Sequence, residues 1–554
     1  MFVPLSVLEF RDRAATYFGD KIGVIDGERC FTYREYAERT HRLASALRRL
    51  GVEPGDRVSF VTYNTHQLLE AYYGVLEAGA VLNPINIRLT PSDIAYILDH
   101  SGSTVVAYHA DFAPLVEQIA PSLAHRPVFV VMEGEPRQTQ EAPTSRVEGA
   151  AASSVADAER GRSPSTAIDY EALLASGRSD EPPADVDENA VAELFYTSGT
   201  TGRPKGVALT HRALYLHGLQ AAQALRITDA DVILHVVPLF HVNGWGAPHW
   251  MTMVGGQHVM LRKFDPAALL SLVERHGVTY LLAVPTIFNA VLNSPELERR
   301  DVSSLKRVLV GGAPSSPALI RALEERLGVQ ALVGYGLSET SPVVSIAWPR
   351  QHLLDVEPPE RRLERQATTG WAVPGVRLRV VTPEGEDVRP DGEQLGEIVV
   401  RSNVVMDGYY REPESTAASI RDGWFHTGDM ATIDAQGYAT IRDRAKDVII
   451  SGGENISSVD IENALADFPG ILEAAVVAAP DERWGEVPVA VVVLKPGVIA
   501  TADDVLAHCR ERLAGFKVPR RVEFRDQLPK GGTGKILKGE LREPFWRGYE
   551  LRVH

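Results

Sequence analysis

The run Tyr196-Thr197-Ser198-Gly199-Thr200-Thr201-Gly202-Arg203-Pro204-Lys205-Gly206-Val207 decides how this chain is read. It holds three glycines, four aliphatic hydroxyls and two cations. The short apolar run before it, 191–195, reads as a strand. After it, Thr210 is placed to cap a helix through about Leu225. A strand, a glycine- and hydroxyl-rich loop and a helix is one way a backbone wraps polyphosphate. Glycines let amide N–H groups approach the oxygens, hydroxyls add donors, and Lys205 supplies charge. No G-x-x-x-x-G-K-[ST] pattern occurs, so this is not a Walker A loop.

At 554 residues the chain is too long for one core and implies two to four domains. A net charge of −16, with no evident basic face, argues against nucleic acid as the main partner. Cys30 and Cys509 form neither metal spacing nor a disulfide framework, which makes a reducing cytoplasm the default. The first residues, MFVPLSVLEFRDRAA, do not read as a signal peptide. No uncharged apolar run reaches the roughly 18 residues a spanning helix needs. The last four residues carry no peroxisomal or lipidation signal.

Working outward, Thr32-Tyr33-Arg34-Glu35 is a capping box that opens a helix ending at Gly51. Strands and helices then alternate: strands at 57–62, 232–237, 258–261, 279–284, 306–310 and 331–333, helices at 66–77, 266–276 and 316–327. That rhythm predicts a mainly parallel sheet covered on both faces. The stretch 133–189, rich in Ala, Ser, Pro, Glu and Arg, reads mostly as a partly mobile surface excursion. From Gly370 the pattern turns to short strands (376–381, 397–401, 439–441). After Arg442 come a helix (459–466), two strands (473–478, 487–494), a helix capped by Thr501 and a strand (521–524). Those suggest a compact α+β domain beyond a charged link, Arg442-Asp443-Arg444-Ala445-Lys446-Asp447.

The phosphate-loop run resembles that of the adenylate-forming superfamily, which includes acyl-CoA synthetases, amino-acid adenylation domains and luciferases. Further segments match in the expected order, so the resemblance covers essentially the whole chain. It is strongest to bacterial medium- and long-chain fatty acyl-CoA synthetases. The fold so implied is α/β. Residues 1–442 would form a large N-terminal domain of βα sheets plus a small β-barrel-like part, 443–446 a hinge, and 447–554 a small mobile α+β lid.

The same resemblance assigns roles. Thr197, Ser198, Gly199, Thr200, Thr201, Gly202 and Lys205 would clamp the phosphates of ATP. Gly312, Ala313 and Pro314 would border the adenine. In Gly334-Tyr335-Gly336-Leu337-Ser338-Glu339-Thr340, Tyr335 offers the adenine a flat ring, and Gly334, Gly336 and Ser338 complete the loop. Glu339 is a hard oxygen ligand for Mg²⁺, with Thr200 beside it, and Thr340 a donor to the α-phosphate. Asp429 would accept the ribose hydroxyl hydrogens and Arg444 would be a second ribose contact. Lys535, in Pro529-Lys530-Gly531-Gly532-Thr533-Gly534-Lys535, matches the catalytic lysine. The chemistry needs a cation there, because a carboxylate and the α-phosphate must meet despite their like charge.

Gly452 and Gly453 would line the pantetheine passage of CoA, and Trp484 resembles a CoA-tunnel residue. Lys446 matches the hinge about which the lid rotates between half-reactions. His241, Trp245 and Gly246 mark the acyl pocket, with His241 and Glu339 joining Lys535 in the catalytic set. No residue from Val242 to Val254 is Asp, Glu, Lys or Arg, which argues against an amino-acid substrate. Gly244 and Gly246 remove volume, which would make room for a wide or branched acyl group. The implied activity is an ATP-, Mg²⁺- and CoA-dependent acid–thiol ligase acting on an apolar acid, linear or bulky. An acyl-AMP ligase that loads a carrier protein is the alternative. Oligomeric state is open, with a homodimer among the options.

Overall fold

The computed structural model describes residues 3–133, 161–197, 203–444, 447–451, 454–481, 483–531 and 536–547. The chain divides into two compact units. One holds Met1–Asp265, Leu337–Val343 and Asn403–Ala418; the other holds Pro266–Gly336, Val344–Ser402 and Ser419–His554.

The first unit is built on two sheets. In the larger, the strand order is Gly408–Tyr409, Lys205–Thr210, Val191–Thr197, Val81–Pro84, Arg57–Val61, Ser103–His109, Val128–Met132 and Ile168–Asp169. From Val191–Thr197 onward, neighbouring strands run parallel. The smaller sheet pairs Val232–His235, Gln257–Met260 and Ile22–Asp26 in parallel, and ends on the antiparallel Arg29–Thr32. The helix His66–Glu77 is buried along its whole length, as the chain's near-continuous apolar run there requires. Its two carboxylates are neutralised: Glu77 by Arg11, and Glu70 by Arg39 at 2.5 Å. Both expected helix starts hold. Thr32 with Glu35, and Thr501 with Asp504, form reciprocal capping boxes.

Two readings change. The phosphate-loop segment is not strand–loop–helix. Val191–Thr197 pairs antiparallel with a second strand, Lys205–Thr210, in register Thr197↔Lys205. The run is therefore a hairpin, and the helix His211–Leu225 starts only after the return strand, on the Thr210 cap. The sequence signal was masked because Lys205-Gly206 looks like loop, although 207–209 continue the apolar strand. The second change concerns the surface excursion. Residues 134–160 lie outside the described ones, but 161–189 fold onto the unit. Ile168–Asp169 is the edge strand, and Asp169 caps a helix, Tyr170–Ser176. Tyr170 is buried and donates to Glu70 at 2.7 Å. A polar composition hid three apolar anchors: Tyr170, Leu173 and Leu174.

In the second unit, Tyr280–Ala283, Arg307–Val310 and Gln330–Gly336 run parallel. A curled antiparallel sheet follows: Val376–Val381, Gly396–Ser402 and Trp424–Ile433, with Ile420–Arg421 and Ala439–Arg444 also paired to the last. A further sheet is made of Ile449–Ser451, Glu454–Ile456, Gly485–Leu494, Ile471–Asp481 and Arg521–Phe524. Its long strands alternate strictly. Val476, Ala478, Ala490 and Val492 pack with the helices on one face, and Ala475, Val477, Val489 and Val491 build the other. The final helix, Lys538–Trp546, was not read from the sequence.

Candidate active site

In the second unit, Arg307–Val310 and Gln330–Gly336 are adjacent and parallel, so the loops that leave them emerge at the same edge. The carboxyl ends of parallel strands are where open α/β sheets receive ligands. Gly311 to Pro314 leaves the first strand, with Gly312 at φ +75. Gly334, Tyr335 and Gly336 close the second. The Tyr335 hydroxyl donates to Asp429 Oδ2 at 2.7 Å. Burial, reinforced by the Asp429 charge, pushes that phenol far above its ordinary value, so it remains a donor. Asp429 and Arg444 are cross-strand partners in the curled sheet, and Arg444 Nε stands 2.9 Å from Asp429 Oδ1. Three residues predicted from separate motifs thus meet at one carboxylate. A carboxylate has about four acceptor sites. Tyr335 takes one on Oδ2 and Arg444 one on Oδ1, which leaves one acceptor site on each oxygen.

The first unit gathers a different set. Gly408–Tyr409 pairs with the return strand of the hairpin, Tyr409 opposite Val207. Lys205 Nζ donates to Ser415 Oγ at 2.9 Å, stands 3.8 Å from Glu412 and lies 5.1 Å above the Tyr409 ring. The Tyr409 hydroxyl donates to Glu339 Oε1 at 2.8 Å, and the Glu339 carbonyl accepts from Met406 N–H at 2.8 Å. Glu339 is buried, and its carboxylate is a hard oxygen suited to Mg²⁺. Tyr409, Glu412 and Ser415 were not singled out in the sequence. Their only signal is the Gly408-Tyr409-Tyr410 cluster, which becomes meaningful once paired with Lys205–Thr210. The Thr340 hydroxyl bonds within its own turn, accepting from Leu337 N–H at 3.0 Å and donating to Pro342 O at 2.5 Å. Ser338 is buried beside it.

The segment expected to form the acyl pocket is also in the first unit. Val242, Asn243, Gly244, Trp245 and Gly246 all have positive φ: +35, +44, +53, +62 and +82. Trp245 is buried, its carbonyl accepts from Trp250 Nε1 at 3.1 Å, and half-buried His241 leads into the turn. The volume argument for the two glycines is overturned. A Cβ on Gly246 would meet His217 Cε1 at 2.4 Å, and one on Gly244 would meet Leu239 Cδ2 at 2.8 Å. Those glycines serve the left-handed backbone and close packing; they do not open space for a substrate. Glu193 was missed. It comes from the hairpin strand and touches both Asn243 and His249. A lone Glu in an apolar strand was the available signal.

Trp484 is exposed at the turn between Ile471–Asp481 and Gly485–Leu494, under the Arg483 guanidinium at 4.8 Å. Ser198, Gly199, Thr200, Thr201, Gly202, Lys446, Gly452, Gly453 and Lys535 lie outside the described residues. Among the described residues no helix is long and apolar enough to cross a membrane.

The second unit thus carries a polarised carboxylate at a parallel-strand edge, and the first unit carries a lysine and a metal-capable glutamate beside the hairpin. The chain belongs to the AMP-binding enzyme family: that family's model matches residues 10–410, and its C-terminal domain matches 460–535. It is 40% identical to a long-chain-fatty-acid–CoA ligase of Thermus thermophilus over 98% of this chain and 96% of that protein. It is 36% identical to a 3-methylmercaptopropionyl-CoA ligase of Ruegeria pomeroyi over 98% of each. The ATP-bound crystal structure of MatB from Rhodopseudomonas palustris superposes with a TM-score of 0.82 at 28% identity, over 99% of each chain.

Proposed function

We propose that this protein is an AMP-forming acyl-CoA ligase for an apolar carboxylic acid. It joins the acid to ATP as acyl-AMP with release of pyrophosphate, then transfers the acyl group to the CoA thiol. The observation that carries the reading is family membership over both the large and the C-terminal segments.

Tyr335, Asp429 and Arg444 hold the nucleoside, with the loop 312–314 alongside. Thr197, Lys205 and the hydroxyl-rich hairpin tip bind the phosphates. Glu339 and Thr200 hold Mg²⁺, which when bound offsets phosphate charge. Lys535 stabilises the charge that develops as carboxylate meets α-phosphate. Residues 447–554 act as a lid hinged near Lys446, bringing first Lys535 and then Gly452, Gly453 and Trp484 to the reaction. His241 and Trp245 face the acid. An apolar substrate is supported by the uncharged stretch 242–254. Glu193 does not weaken this, because it is fully buried and its carboxylate is already engaged by Asn243 and His249. The compartment proposed is a reducing cytoplasm, where two free cysteines such as Cys30 and Cys509 stay reduced.

A pyrophosphate-release screen over acids graded in length and width tests this. Release should require an apolar acid. Release driven best by amino acids, or none with any acid, would refute it.

A further inference from the structure

Glu193 is fully buried in the interior of a strand, where a carboxylate persists only if its oxygens are bonded. Its two oxygens reach the two ends of one segment. Oε2 accepts from Asn243 Nδ2 at 2.9 Å, and His249 Nε2 stands 2.6 Å from Oε1. Between Asn243 and His249 lies the left-handed turn that carries Trp245. Five successive positive φ values, three of them at non-glycine residues, are not self-sustaining; surrounding bonds must hold them.

Those bonds are visible on both flanks. The Tyr72 hydroxyl donates to Leu239 O at 2.6 Å and that of Tyr73 to Pro248 O at 3.0 Å. Asn64 donates to His235 O and Val237 O and accepts from Leu239 N–H. The His249 ring stands edge-on to both tyrosines, at 5.6 and 5.8 Å. These fix the stem. Within the turn, the side-chain bond from Asn243 to Glu193 holds a residue that is not glycine at φ +44.

We infer that Glu193, acting through Asn243 and His249, is the positioning residue that fixes the Trp245 turn and thereby sets which acyl groups the enzyme accepts. The inference rests on the reading that Trp245 faces the acid. Glu193 touches no substrate in this scheme. It sets geometry from beneath, so its loss falls on recognition of the acid and spares that of ATP.

The test uses the full-length enzyme labelled with 5-fluorotryptophan, its Trp245 resonance assigned with Trp245→Phe. Glu193→Gln keeps the shape but replaces one acceptor by a donor. It should shift or broaden the Trp245 resonance, raise KM for the acid about tenfold or more and leave KM for ATP within about twofold. Asn243→Gly removes the same bond while suiting the positive φ, so it folds even where the glutamate variant does not, and it should act alike. An unmoved Trp245 resonance and unchanged acid KM in these variants, while Trp245→Ala raises acid KM, overturns the positioning role alone. An acid KM unchanged in Trp245→Ala overturns the acyl-site reading and the inference with it. Equal rises in KM for acid and ATP also overturn it, because a general loss of structure would do that.

Discussion

Replacing Asp429 by asparagine changes one atom and removes a charge, and its consequence follows from counting acceptors. In the native site Tyr335 and Arg444 occupy one lone pair on each oxygen. In the proposed binding mode the remaining two accept from the two ribose hydroxyls. Asparagine offers a single acceptor oxygen and turns an NH₂ toward either the Tyr335 hydroxyl or the Arg444 guanidinium. At least one charge-assisted bond to ribose is lost, and such bonds are worth about 1.5–3 kcal/mol. KM for ATP should therefore rise about 10- to 150-fold. Acid-dependent ATP–pyrophosphate exchange reads this directly. Run with ATP and with 2′,3′-dideoxy-ATP, it also isolates the cause. The native enzyme should discriminate strongly against the dideoxy nucleotide, and Asp429→Asn should discriminate at least about tenfold less. If the variant kept the native preference for the ribose hydroxyls, Asp429 would not be their acceptor and the reasoning would fail.

Other outcomes follow from the same geometry. Gly246→Ala places a Cβ against His217 at a left-handed position, so unfolding free energy should fall by about 2–5 kcal/mol in a denaturant titration; an unchanged midpoint would contradict the close packing. Burial lowers His235 and His217 to about 3 and His211 to about 4, with neighbouring His249 adding to the latter two. These rings bind protons more readily unfolded, so their stabilisation is complete above about pH 6.5 and is lost as pH falls to about 4 for His211 and about 3 for His235 and His217. At pH 5 each costs about 2 kcal/mol, and a denaturation midpoint that stays level from pH 7.5 to 5 would count against their burial. Lys535→Ala should lose about 100-fold or more in pyrophosphate exchange, on the scale of a lost transition-state contact. It should still convert supplied acyl-AMP to acyl-CoA, and equal damage to both steps would remove the lysine from its assigned role.

How much of this was legible in the sequence varied with the physics that fixes each part. Cap-marked helices such as Tyr33–Arg49 and Ala502–Arg512 were readable because a Thr and an acid three residues on satisfy each other locally. The parallel strands around 307–310 and 330–336 were readable from their unbroken apolar runs. The hairpin was not, because Lys205-Gly206 looks like loop, whereas it begins the return strand that pairs with Val191–Thr197. Tyr335, Asp429 and Arg444 were each marked by a motif, yet their meeting depends on the register Asp429↔Arg444, which no local pattern encodes. Gly246 shows the opposite failure. A missing side chain was read as space, whereas the fold had filled it with His217. Glu193 went unread for a related reason: its partners lie 50 and 56 residues on, so nothing near it in sequence ties this lone carboxylate in an apolar strand to a role.

The measurement that bears most directly on the proposed chemistry follows an oxygen atom. An acid that supports pyrophosphate release is labelled with ¹⁸O in its carboxylate and converted with ATP, Mg²⁺ and CoA. Attack of that carboxylate on the α-phosphate leaves one labelled oxygen in AMP, formed in step with acyl-CoA and unlabelled pyrophosphate. Label recovered in inorganic phosphate beside ADP, or AMP free of label, would contradict an acyl-adenylate route.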